Sequence, residues 1–151
     1  MSDNWLIFVS TKPDWRPLHS ADKAVELVRL AYPNAENVDA KTHEAIQFID
    51  QGQNFEDVRC PKCKHSLMEE FGELMNESYD EGAGGFGNLE IIAPCCGSNV
   101  CLNDLEFEAP AAFGSFQIDV MNPDSGDVQD ELLSILEREL GTSVRTVWCH
   151  I

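Results

Sequence analysis

Apolar positions fall into the same rhythm near both ends of the chain: a strand-like run, a helical repeat, then a second strand-like run. "NWLIFVST" (4–11) is apolar and β-rich until "KPDWRP" breaks it, which predicts a first strand. Ser20 then offers an N-cap to "ADKAVELVRLAY", where Val25, Val28 and Tyr32 recur at helical spacing before Pro33 stops the run. "EAIQFID" (44–50), closed by Gly52, predicts a second strand, with room for part of it in residues 34–43. Near the other end, "GSFQIDVMNP" (114–123) sets Phe116, Ile118 and Val120 against polar neighbours before Asn122-Pro123 turns the chain. "SGDVQDELLSILEREL" lines up Val128, Leu132, Leu136 and Leu140 on one helical face, with Ser125 or Asp127 as cap and Gly141 in the left-handed stop position. "SVRTVWCHI" (143–151) closes as a β-branched strand.

Two β-α-β units, residues 4–50 and 114–151, can interleave into a four-stranded antiparallel sheet carrying both helices on one face. The expected class is therefore α+β, a ferredoxin-like body forming a single domain over 1–151. The alternative is a more open α+β sheet joined by strands of the middle segment. That segment, 54–110, reads as an insertion between the two halves. Within it "HSLMEEFGELMNESYDE" (65–81) has helical spacing, with Leu67, Phe71, Leu74, Met75 and Tyr79 on one face. "GAGGFGN" (82–88) predicts a linker or mobile tip. It follows a helix rather than a strand and has no nearby Lys, so it lacks what a phosphate-binding loop needs. "LEIIA" and "CLNDLEFE" flank the second cysteine cluster as a hairpin.

Length matters to the reading of the cysteines. A chain of 151 residues buries roughly 70% of its unfolded surface and does not depend on disulfides for a core. The opening "MSDNWLIFVSTKPDW" has no basic n-region or signal-length apolar run, and no stretch reaches the roughly 20 apolar residues of a membrane span. A cytoplasmic location is expected, where six cysteines meet reducing conditions and such spacing points to metal or catalysis. Charge adds a second constraint: the net charge is −17, and between Lys64 and Arg138 there are sixteen Asp and Glu and no Lys or Arg. That field repels nucleic acid and anionic membranes and speeds encounter with a basic protein partner.

The cysteines fall into "CPKC" (60–63) and "APCCGSNVC" (93–101). "CPKCKH" resembles the first knuckle of a zinc ribbon, and "PCCG" resembles half of the second. The resemblance covers about forty residues, makes the insertion zinc-ribbon-like and implies a structural Zn2+ held by four sulfurs in a tetrahedron. Cys60, Cys63 and Cys96 match the ribbon pattern position by position. The ribbon's remaining cysteine would stand at Ala93. Cys95 is the first alternative for that fourth ligand, followed by Cys101 and His65. Three further chemistries remain open for the cluster: a redox pair (Cys60–Cys63 or Cys95–Cys96), a zinc enzyme whose site holds three cysteine ligands and an open fourth position, or plain buried thiols. Cys149, in the last strand, is expected in the core.

Along 65–81 the acidic positions Glu69, Glu70, Glu73, Glu77, Asp80 and Glu81 stand three or four apart with no Lys among them. Each such like-charge pair costs a few tenths of a kcal/mol. Local electrostatics thus opposes the helix, which leaves two readings of its carboxylates: a docking face for a basic partner, or a solvated face that tolerates the charge. The four histidines are isolated and no nucleophile motif is present, so no catalytic residue is assigned. The expectation is a non-enzymatic, zinc-binding acidic interaction protein, in its sharpest form an immunity or inhibitor protein against a toxin or nuclease.

Overall fold

Alternation along β1 (Asn4–Ser10) puts Leu6 and Phe8 on one face and Ile7 and Val9 on the other, and all four are buried. A continuous apolar run suits a strand covered on both sides. In the computed structural model, which describes residues 3–151, β1 lies in the middle of the sheet. It pairs antiparallel with the final strand, β10 (Val144–His150), and with β9 (Ala112–Met121), and β9 pairs antiparallel with β2 (Asn37–Ile49). The strand order β10-β1-β9-β2 is the interleaving expected of two split β-α-β units, and the chain is an α+β protein. No helix among the described residues is long and apolar enough to cross a membrane.

One face of the sheet carries α1 (Asp22–Ala31) and, from the second unit, the helix Asp130–Leu140. Ala24, Val28, Leu132 and Leu136 pack there against Leu6, Phe8, Phe116, Ile118 and Val120. Gly141 ends the second of these helices at φ 77, as the sequence leads one to expect. The starts differ. Neither helix has a side-chain cap: Ser20 Oγ accepts from Asp22 N (3.1 Å) and Ser125 Oγ from Asp127 N (3.3 Å), bracing the turns before each helix instead. The β2 strand also begins earlier than its apolar signal, at Asn37, because Asn37, Val38 and Asp39 pair with Met121, Val120 and Asp119 of β9.

The other face is covered by the chain itself. Between Thr42 and Gln47 the β2–β9 register breaks, and beyond it Ile49 and Ala112 pack with Ile7, Val9, Val147 and Cys149. Gly114 permits that close passage, since a Cβ there would stand 2.5 Å from Val9 Cγ1. Cys149 is buried, and burial, followed by the charges of Asp50 and Asp119, pushes its thiol up.

Between β2 and β9 run β3 (Val58–Arg59), α2 (Phe71–Ser78), β4 (Tyr79–Asp80), β5 (Gly85–Phe86), β6 (Glu90–Ile92), β7 (Asn99–Cys101), a 3-10 turn (Leu102–Asp104) and β8 (Glu106–Phe107); the Asp130–Leu140 helix is α3. This segment has a core of its own, with Val58, Cys60, Leu67, Leu74, Leu89, Val100, Leu102 and Leu105 buried together. A chain of aromatic contacts ties that core to the sheet. Phe48 and Phe113, from β2 and β9, lie 5.0 Å apart and meet Phe71, Phe86 and Phe107 at ring distances of 5.2–6.0 Å.

Two expectations are corrected by the fold. Residues 65–81 are not one helix; only Phe71–Ser78 is, preceded by turns around Leu67 and followed by a strand. Carboxylate crowding and the need to bury Leu67 beside Val58 both favour the shorter helix. The glycine-rich stretch is not a mobile tip. Gly85 and Phe86 form β5, which pairs with β4 and, through Ile46↔Phe86, with β2, widening the sheet to six strands.

Candidate metal centre

The two cysteine turns have the same backbone. In the first, Cys60 N donates to His65 O (3.0 Å) and Lys64 N to Cys60 O (2.9 Å). In the second, Ala93 N donates to Ser98 O (2.9 Å) and Gly97 N to Ala93 O (2.8 Å). Lys64 and Gly97 occupy corresponding left-handed positions at φ 66 and 72, and glycine fits that conformation without the Cβ clash that lysine must bear. Each turn closes a strand pair, Arg59 opposite Ser66 and Ile92 opposite Asn99. Cys60 and Ala93 are therefore structural counterparts, and both are fully buried.

This equivalence sets Ala93 of the second turn opposite Cys60 of the first. Ala93 carries a methyl group in place of the sulfur, and Cys95 stands where the first turn has Lys62. The sulfur is supplied from a site two residues on. The Sγ atoms of Cys60, Cys63, Cys95 and Cys96 all lie within 4.8 Å of one another, a cluster that could hold a metal ion. Cys60 Sγ lies 3.9 Å from Cys96 Sγ, and Cys63 Sγ 3.2 Å from Cys95 Sγ. Four sulfurs at about 2.3 Å from a central ion would stand about 3.8 Å apart, so the separations are of the right order. Neither Cys101, on β7, nor His65, just beyond the first turn, contributes an atom to the cluster.

Cys60 is buried, Cys95 half-buried, and Cys63 and Cys96 exposed, so the cluster opens outward from the core of the middle segment. Lys62 N donates to Cys60 Sγ (3.4 Å), which fixes that sulfur's position in the turn. Burial, then hydrogen bonding with Cys63, pushes the Cys95 thiol up to about 12, whereas hydrogen bonds with the Ser98 hydroxyl and backbone bring Cys96 down to about 7. Four neighbouring thiols resist simultaneous ionisation; a divalent cation removes that conflict by coordinating the thiolates.

Two supporting residues were not evident from composition or spacing. Ser98, 3.4 Å from Cys96 Sγ, is the counterpart of His65, and aligning "CPKCKH" with "APCCGS" brings it out. Asp57 braces the first turn by accepting from Arg59 Nε (2.8 Å) and Ser66 Oγ (2.7 Å), contacts that hold its carboxyl below the usual range. No local motif announces this.

The acidic residues named from sequence are not all on one helix. Glu73 and Glu77 are exposed on α2, Glu69 is exposed before it, and Glu70 is half-buried at the helix start. Asp80 lies in β4, its Oδ1 accepting from Gly82 N (3.0 Å) and Ala83 N (3.2 Å), and Glu81 follows in the turn. The histidines are also spread out: His43 Nε2 shares a hydrogen bond with Gln117 Oε1 (2.8 Å) and His150 Nδ1 with Asn4 Oδ1 (2.7 Å). Comparison of the chain with protein-family models, curated proteins and solved structures found no match.

Proposed function

We propose that the chain is a non-enzymatic zinc-binding protein whose metal fixes two turns and whose acidic surface receives a basic protein partner. The observation that carries the metal is the meeting of four thiols, within 4.8 Å, from two turns of matching backbone. Soft thiolates in tetrahedral array suit Zn2+, and complete coordination by protein sulfurs leaves no position for a reacting water. The ion is structural in this reading. The partner half of the reading rests on charge: −17 over the chain, with Glu69, Glu73, Glu77 and Glu81 exposed and no cation from 65 to 137. A protein that normally grips phosphates, such as a toxin or nuclease, presents the complementary surface, and the chain would then act as its immunity or inhibitor protein.

Metal content of protein purified without chelator should approach one zinc per chain, and cobalt-substituted protein should show the charge-transfer bands of four thiolates. Less than half a zinc per chain ends the structural-zinc reading; a three-sulfur spectrum with exchangeable water favours an open catalytic site. Pull-down from the native host at two salt concentrations should recover a basic protein that is lost at the higher salt. Recovery of only acidic or neutral companions removes the docking reading.

A further inference from the structure

We infer that Cys63 and Cys95 form a redox-modification pair: a hydroperoxide closes them into a disulfide that ties the two turns together and expels the metal. Such a pair would regulate the zinc site proposed above, and to that extent rests on it. The geometry that favours it is not shared by a pairing of the adjacent Cys95 and Cys96.

Cys63 and Cys95 lie 3.2 Å apart, sulfur to sulfur, against 3.9 Å for Cys60 and Cys96. Reaching a disulfide length requires an approach of only about 1.1 Å. Cys63 is exposed, so an oxidant meets it directly, whereas Cys60 is fully buried and its sulfur is held by Lys62 N. Adjacent residues have Cα atoms about 3.8 Å apart, below the usual span of about 4.4–6.8 Å for a disulfide. Cys95–Cys96 therefore closes only with distortion. The favoured bond joins different turns and preserves their apposition after the ion leaves.

The chemistry balances with one molecule of hydrogen peroxide. The Cys63 thiolate attacks the peroxide, the O–O bond breaks, and Cys63 becomes a sulfenic acid as hydroxide leaves. The Cys95 sulfur then attacks Cys63, forming the S–S bond and displacing a second hydroxide. Two sulfurs lose two electrons in all, and the peroxide gains them. The hydroxides become two waters by taking protons from the thiols or, when the sulfurs begin as metal-bound thiolates, from solvent. Two of the four ligands are consumed, and the remaining pair cannot complete a tetrahedral site.

The test uses the full wild-type chain with its metal content measured beforehand. Hydrogen peroxide is added below one equivalent, free thiols are alkylated, and the disulfides are mapped by tandem mass spectrometry without reduction. Released zinc is read with a chromogenic chelator. The expected result is a first disulfide between Cys63 and Cys95, appearing one for one with free zinc, with both changes reversed by a dithiol and added zinc. A first disulfide at Cys60–Cys63 or Cys95–Cys96, or metal loss with no disulfide, overturns the pairing. The same map on chelator-stripped protein separates the two ideas. A chain that never held zinc but still links Cys63 to Cys95 refutes the zinc reading and supports the pairing.

Discussion

Replacing Gly85 with alanine tests whether the glycine-rich stretch is part of the sheet. Gly85 lies outside the left-handed region, so backbone strain plays no role. A Cβ there would instead stand 2.4 Å from Ile46 O, 2.7 Å from Gln47 Nε2 and 2.8 Å from Ala45 Cβ. Ile46 O is backbone and cannot rotate away, so β5 must back off from β2. The strain falls on the neighbouring Phe86, which is 4% exposed and packs its ring 5.2 Å from Phe113 and 5.3 Å from Tyr79. If the contact is absorbed by a small shift, the cost is that of overpacking, about 1–3 kcal/mol. If the β4–β5 hairpin lifts and exposes Phe86, the loss approaches that of truncating a buried phenylalanine, about 3–5 kcal/mol. Two neighbours supply the scale. Gly84→Ala meets nothing within 4 Å but sits at φ 75, so it should cost roughly 1 kcal/mol from left-handed strain. Gly87→Ala meets nothing and has no such φ, so it should be neutral or stabilising by up to about 1 kcal/mol. Urea unfolding reads the series: with a slope of about 2 kcal/mol per molar, a loss of about 2 kcal/mol moves the midpoint by about 1 M. The order Gly85, Gly84, Gly87, from most to least damaging, is the expected outcome. If Gly85→Ala unfolds at the same urea concentration as Gly87→Ala, β5 is not docked as described.

Phe113→Ala should lower stability by about 3–5 kcal/mol in the same assay, because Phe113 is fully buried between Phe48 and Phe86; a loss below about 1 kcal/mol would contradict the aromatic link to the sheet. Cys95→Ser should reduce zinc retention against a competing chelator by about tenfold or more, while Cys101→Ser should leave it unchanged; the reverse order would move the fourth ligand to Cys101. Burial and then the Asp127 charge raise Tyr32 above its ordinary value of 10.0, so the fold favours its neutral form. That contribution is complete below about pH 10 and is lost as pH rises through the higher folded-state value. Denaturation midpoints of wild type should therefore fall with pH above about 10, and Tyr32→Phe should flatten the fall; an unchanged slope refutes the assignment.

The terminal units were legible because their signals are local. The run Leu6–Val9, the helical stripe through Leu132 and Leu136, and the stop at Gly141 each depend on a few neighbouring residues, and each appears where the pattern places it. The cysteine turns were half legible. Cys60, Cys63 and Cys96 were readable from the pattern, with Cys95 ahead of Cys101 and His65 for the fourth place, but only the folded turns bring the four sulfurs within 4.8 Å of one another. What stayed hidden depends on distant contacts. Gly85 resembles a loop glycine in sequence, and only the approach of Ile46, thirty-nine residues earlier, makes it a strand residue. The span 65–81 has helical periodicity throughout, yet Leu67 N pairs with Val58 O, drawing the start of the span into the first cysteine turn instead. The tertiary contact overrides the local preference.

These distant contacts also change what a metal at the cluster would do. In an isolated peptide a structural zinc contributes on the order of 10 kcal/mol because nothing else orders the chain. From that alone, the ion would be the sole organiser of the middle segment. The buried set of Val58, Leu67, Leu74, Leu102 and Leu105, joined to the sheet through Phe48 and Phe113, supplies a second source of order. Cys60 belongs to both: its backbone and side chain lie in that core, and its sulfur faces the other turn. Order therefore reaches the cluster from below through Cys60, and an ion held there would act chiefly on Cys63, Cys95 and Cys96, which lie nearer solvent. Losing the metal should loosen the tips of the two turns before it loosens their bases. On that reading the state of the sulfurs would change the outer ends of the turns while the α+β body stayed folded.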